Sequence, residues 1–128
     1  MHSIQSKRFE LVAMADRVSF PNGGVVNLSN DAALVEVVAN SPGLLLDVWA
    51  AWCGPCRLMA KVMDWAAMTY GERLVVAKLN ADDSPDAVER LGVQGLPTLI
   101  LYKDGQEVAR HEGAVPPAQL QAFLDEHF

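Results

Sequence analysis

The chain has little with which to cross-link itself: of its 128 residues, two are cysteine. A domain of that length buries about two-thirds of its unfolded surface unaided. A ring closed over a few residues removes little entropy from the unfolded chain, so a structural staple is a weak reading of the pair. Long apolar runs are missing too, none approaching the ~20 residues that cross a bilayer, and no membrane span is expected. Lys7 and Arg8 precede FELVAMA, but that stretch is about half the length of a secretory core and contains Glu10, so a cytoplasmic protein is expected. Cations are short as well. Ten Lys and Arg against sixteen Asp and Glu give a net charge of −6, which leaves no surplus to displace counterions from phosphates and disfavours nucleic-acid binding. Internal repeats and low-complexity tracts are absent. Hydrophobic residues at 51% and charged ones at 20% are the proportions of a folded globule.

What is there begins with the two cysteines themselves, Cys53 and Cys56, set in WCGPCR. In a chain that is not exported, such a pair is catalytic or metal-binding more often than structural, because cytosolic reductants keep ordinary thiols reduced. Zinc takes four ligands. Beyond the pair the sequence offers His2, His111, His127 and carboxylates, with no second Cys pair, so a metal site is the weaker reading. A reactive dithiol is the stronger one.

Residues 1–24 are polar and mixed and end in Pro21-Asn22-Gly23-Gly24, a turn and boundary signal. They read as a loosely packed extension, although Phe9, Leu11, Val12 and Met14 offer a short helix that could dock on the domain. From Val25 to Phe128 strands and helices alternate. Val25 to Leu28 is a short strand, and Ser29 or Asn30 caps a helix carrying Leu34, Val37 and Val38 on one face. LLLDVWA, from Leu44 to Ala50, is apolar almost throughout, as in a central strand covered on both sides.

After the cysteines, Leu58, Met59, Val62, Met63 and Ala66 form an apolar stripe on a helix reaching about Tyr70. A strand follows from Leu74 to Asn80. A short helix opens at Ser84-Pro85, with the serine as its cap, and stops at Gly92. Thr98 to Lys103 and Glu107 to Arg110, joined at Asp104-Gly105, read as a hairpin. Pro116-Pro117 starts a last helix with Leu120, Phe123 and Leu124 facing inward. The class is α/β with a mixed sheet: parallel strands joined by helical crossovers, and a terminal hairpin that adds antiparallel ones.

The strand before Cys53 and the helix after it put WCGPC at the carboxyl edge of a sheet strand, where open α/β proteins carry their sites. Unpaired N–H groups and the dipole of a helix's first turn favour negative charge there, so a thiol ionises more readily than a free one. Gly54 allows a tight turn, and Pro55 lacks an N–H that a helix start could not use. Cys53 is therefore expected to be exposed and to attack as the thiolate, and Cys56, one turn into the helix, to be more buried and to resolve the mixed disulfide. Asp47 lies in the most apolar strand, where burial raises a carboxyl's pKa toward the range useful for proton transfer.

LDVWAAWCGPCR, VAKLNAD and GLPTLILYKDG, in that order and spacing, resemble thioredoxin over about Val25 to Phe128. The resemblance implies a central mixed five-stranded sheet flanked by four helices. It implies that Asp47 shuttles a proton to and from the resolving thiol, that Lys78 pairs with Asp47, and that Pro97 is cis. It further implies that the backbone of Leu96 pairs with an extended substrate chain, and that Trp52, Gly54, Pro55, Gly95, Gly113 and Ala114 complete an apolar rim around Cys53. Disulfide-containing proteins would be the substrates, and an NADPH-dependent flavoenzyme, thioredoxin reductase, the electron donor. No bound cofactor and a monomer are expected.

Trp65 and the five methionines are expected as packing residues, and His111 and the acidic run Ala81 to Asp86 as solvated surface and helix capping. One departure is internal: Lys61 stands where the family has a helix-kinking proline, so a straighter helix is expected. The function implied is a general protein-disulfide reductase that maintains redox homeostasis. The alternatives are an oxidase or isomerase on the same fold, or a binding and chaperone module.

Overall fold

A computed structural model of the chain describes residues 24–128. The extension read at residues 1–24 therefore lies outside the described residues except for Gly24, as does the helix considered for Phe9 to Met14. Five strands form one sheet in the order β1-β3-β2-β4-β5: β1 (Val25–Leu28), β2 (Gly43–Trp49), β3 (Val75–Asn80), β4 (Thr98–Lys103) and β5 (Gln106–Glu112). β3 runs parallel to both β1 and β2. The hairpin is antiparallel, β4 to β2 and β5 to β4. Four helices cover the sheet: α1 (Asp31–Asn40), α2 (Gly54–Tyr70), α3 (Pro85–Leu91) and α4 (Pro117–Asp125).

Alternation along β2 builds two cores. Leu45 points toward α2 and α4, where Met59, Met63, Ala66, Leu120 and Leu124 meet it. Leu44, Leu46 and Val48 point the other way, onto Leu34 and Val37 of α1 and Ala87 of α3. β2 is apolar at nearly every position because both of its faces are covered. The fold is the thioredoxin-like α/β arrangement of five strands and four helices.

Local chemistry sets the boundaries. Asn30 Oδ1 accepts the Ala33 N–H at 2.8 Å and caps α1. Asp104 and Gly105 both take positive φ, 52° and 85°, as a two-residue hairpin turn requires. β5 reaches from Gln106 to Glu112, longer than its sequence pattern indicates, because an edge strand with a solvated face carries few apolar residues to announce it. A 3-10 turn, Gly71–Arg73, separates α2 from β3.

Two sequence readings are corrected. Leu58 is 70% exposed rather than part of the buried stripe. The buried arc of α2 runs through Cys56, Met59, Met63, Ala66, Ala67 and Tyr70, and residue 58 lies about 100° around the helix from its neighbour at 59, off that arc. Ser84 occupies the cap position of α3 but its side chain makes no capping bond. Its buried Oγ has no hydrogen-bond partner among the described residues.

Candidate active site

The site is assembled where β2 leaves the sheet. The Ala81 N–H donates to the Trp49 carbonyl at 2.8 Å and the Cys53 N–H to that of Ala50 at 3.1 Å, so the chain turns directly from strand into helix. Cys53 is the N-cap of α2 and Pro55 sits in its first turn. The Cys56 backbone N–H donates to Cys53 Sγ at 3.2 Å, so an otherwise orphaned amide of the helix start is aimed at the sulfur. Arg57 Nη2 closes the loop on the Ala51 carbonyl at 3.2 Å. Helix α2 then continues unbroken through Lys61 to Tyr70.

Cys53 and Cys56 are joined as a disulfide, their Cα atoms 5.3 Å apart. In this oxidised form the exposure expected of Cys53 is absent: it is 5% exposed and Cys56 is 3% exposed. The two differ in surroundings instead. Cys53 is flanked in sequence by exposed Trp52, Gly54 and Pro55, whereas Cys56 belongs to the inward arc of α2. Gly54 is not the tight turn the sequence suggests. It is the first residue of the helix, its φ is not among the positive ones, and a Cβ there would meet nothing within 4 Å.

Asp47 sits on β2 between Lys78 of β3 and Leu99 of β4. It is fully buried, 0% exposed, and neither carboxyl oxygen has a hydrogen-bond partner among the described residues. Desolvation pushes its pKa up to about 7, and the positive charge of Lys78 pulls only partly against this. The direct Asp47–Lys78 pair implied by the resemblance is not formed. Lys78 Nζ lies 4.7 Å from the centroid of the Trp49 ring, held by the indole face. The side-chain alternation that turns Leu45 toward α2 turns Asp47 and Trp49 the same way.

Opposite the disulfide, the Leu96–Pro97 peptide is cis, and Leu96 packs against the cluster of Ala50, Cys53 and Cys56. Thr98 Oγ1 donates to the Gly95 carbonyl at 2.6 Å. Gly113, at φ 100°, donates its N–H to the Pro97 carbonyl at 2.8 Å, which ties the Gly113-Ala114 turn to the Gly95–Pro97 loop. Trp52 is 69% exposed. Its Nε1 donates to Asp82 Oδ2 at 3.0 Å. Asp82 is the residue that sequence reasoning passed over, by leaving Ala81 to Asp86 as surface. The available signal was its place two residues past the end of β3, the strand beside β2. Trp65 is half-buried and packs edge-on to Tyr70 at 6.4 Å, and His111 is half-buried rather than solvated, its ring 6.4 Å from that of Phe123. Among the described residues no helix is long and apolar enough to cross a membrane.

A dithiol-disulfide couple at a helix start, with a buried carboxyl of raised pKa on the strand that leads into it, can exchange electrons and protons with another disulfide. A family model described as Thioredoxin matches residues 25–126. The chain is 45% identical over 102 residues to the thioredoxin of Pseudomonas aeruginosa, covering 79% of this chain and 94% of that one. It is 44% identical over 92 residues to thioredoxin 1 of Synechococcus elongatus, covering 72% and 86%. Among solved structures, a mutant thioredoxin from Halobacterium salinarum superposes with a TM-score of 0.76 at 27% identity, covering 82% of this chain and 91% of that one.

Proposed function

The chain belongs to the thioredoxin family and is a protein thiol-disulfide oxidoreductase; we propose that within it Cys53 is the attacking sulfur and Cys56 the resolving one. The observation that carries this assignment is the Cys56 N–H directed at Cys53 Sγ from the first turn of α2, a donor that stabilises a thiolate at Cys53 and offers nothing comparable to Cys56. In the dithiol form the Cys53 thiolate attacks one sulfur of a substrate disulfide and expels the other as a thiolate. Cys56, giving up its proton, then attacks Cys53 Sγ and releases the second substrate sulfur. Two electrons pass to the substrate. The proton that Cys53 lost on ionising and the proton from Cys56 convert the two leaving thiolates to thiols, and the chain is left as the disulfide.

Asp47, with a pKa of about 7, takes the Cys56 proton and returns it, and the charge of Lys78 tempers its basicity. Trp52, Gly54, Pro55, Gly95, Leu96, Pro97, Gly113 and Ala114 form the surface on which an extended substrate lies, with Leu96 supplying backbone hydrogen bonds that ignore side-chain identity. Substrates are disulfide-containing proteins. A flavin-dependent thioredoxin reductase restores the dithiol at the expense of NADPH, and the chain works as a cytoplasmic monomer with no bound cofactor of its own.

Dithiothreitol-driven reduction of insulin tests the assignment. Wild type accelerates it and Cys53→Ser abolishes the acceleration; equal rates refute the role of Cys53. Alkylation of the reduced chain at neutral pH labels Cys53 first, and preferential labelling of Cys56 reverses the two roles. In equilibrium with glutathione the couple is more reducing than the roughly −180 mV of disulfide isomerases; a more oxidising potential favours the isomerase or oxidase alternative.

A further inference from the structure

Beside the disulfide, between Trp52 and α3, runs an open groove of about 440 Å³. Much of its lining is apolar, with Trp52, Val88, Val93 and Leu96 among it, and Leu96 is shared with the cluster around Cys53 and Cys56. The charged residues that line it are of one sign. Asp82 and Glu89 are both there, and among the described residues neither Lys nor Arg is. Asp82 engages Trp52 through Oδ2 alone, and the Glu89 carboxylate enters no hydrogen bond or ion pair among the described residues. Cations close by in sequence are engaged elsewhere: Arg90 forks onto Asp31, Arg57 donates to the Ala51 carbonyl and Lys78 rests on the Trp49 ring. Asp83, just before α3, and Asp86, in its first turn, add further negative charge.

Carboxylates set among apolar side chains match one kind of side chain. Lysine and arginine lay their methylene stems along apolar surface while keeping the charged head at its edge, and the exposed Trp52 ring offers a face over which such a head is attracted. The geometry points to a substrate preference, resting on Cys53 as the attacking sulfur: disulfide proteins whose reacting cysteine is flanked, about two to four residues away along an extended chain at ~3.3 Å each, by lysine or arginine. The same carboxylates disfavour an acidic flank.

Three disulfide-bonded peptides that differ only in a flanking Lys, Gln or Glu test this, with kcat/KM measured at low ionic strength and in 0.5 M salt. The Lys peptide is reduced roughly three- to tenfold faster than the Glu peptide at low salt, and the difference shrinks in high salt. Glu89→Gln narrows the gap and Glu89→Lys inverts it. Glu36→Gln, the same change in net charge on an exposed residue of α1, leaves it intact. Equal rates for the Lys and Glu peptides overturn the preference. So does a preference that Glu36→Gln reduces as much as Glu89→Gln, since it then comes from net charge and not from the groove. A failure of this inference alone still leaves the Gln peptide reduced at an enhanced rate, whereas no reduction of any peptide overturns the reading of Cys53 as well.

Discussion

Asp31 and Asp47 stand on opposite faces of one sheet and are treated in opposite ways. On the α1–α3 side, Asp31 receives a fork of hydrogen bonds from Arg90, 3.1 Å from Nε to Oδ2 and 2.6 Å from Nη2 to Oδ1, in a partly exposed setting. On the α2 side, Asp47 is sealed from water with no donor at either oxygen, and the one cation in register beside it rests on an indole. The first arrangement pairs an acid with a base near the surface. The second leaves a carboxyl undecided between its two states near neutral pH, at a structural cost that a group serving packing alone would not carry.

That contrast is open to attack first at Asp47. Because burial raises its pKa from 3.8 to about 7, the folded chain binds a proton there more tightly than the unfolded one. The resulting stability is full below pH 4, is lost as pH rises toward 7, and stays lost above it. Oxidised wild type therefore loses on the order of 4 kcal/mol across that window, Asp47→Asn does not, and the variant is the more stable of the two above pH 7. Denaturant titrations at pH 4 and pH 8 measure both slopes. A wild type with the same profile as the variant would mean that Asp47 is as settled as Asp31.

Lys78 comes next. Replacing Trp49 with alanine removes the face that holds the ammonium, letting it close on Asp47 and water approach, and both effects favour the carboxylate. The Asp47 pKa, followed by carboxyl-carbon NMR, falls by about one unit for each ~1.4 kcal/mol by which the closer cation and water favour the carboxylate over the acid. Trp49→Phe restores most of it. An unmoved titration in Trp49→Ala would leave the indole with a packing role only.

The smallest effect belongs to the paired side. Arg90→Ala costs about 1 kcal/mol or less in thermal or denaturant unfolding, because the pair is partly exposed and screened by salt. A loss several times larger would make the Asp31–Arg90 fork a structural keystone and erase the distinction.

Much of this organisation was legible in the residues. An apolar LLLDVWA has to be a doubly covered strand, Pro55 and Gly92 punctuate helices, Asp104-Gly105 is a hairpin turn, and an aspartate inside the most apolar strand is conspicuous by its cost. What stayed hidden depends on contacts between segments far apart in sequence. Nothing local to Asp82 says that an indole thirty residues earlier donates to it, and nothing local to Lys78 says that its ammonium settles on Trp49 instead of Asp47. Leu58 misled because it neighbours the apolar arc of α2 without belonging to it. Ser84 misled because a residue type favoured at helix starts still needs the backbone angles that turn its oxygen inward.

The empty space in front of Gly54 gives the motif a freedom its cysteines lack. A methyl or hydroxymethyl group placed there would project into solvent at the approach to the disulfide without pressing on the scaffold. The residue that follows the first cysteine is thus a dial on which molecules are admitted, adjustable one small group at a time while the sulfurs and the helix beneath them stay where they are.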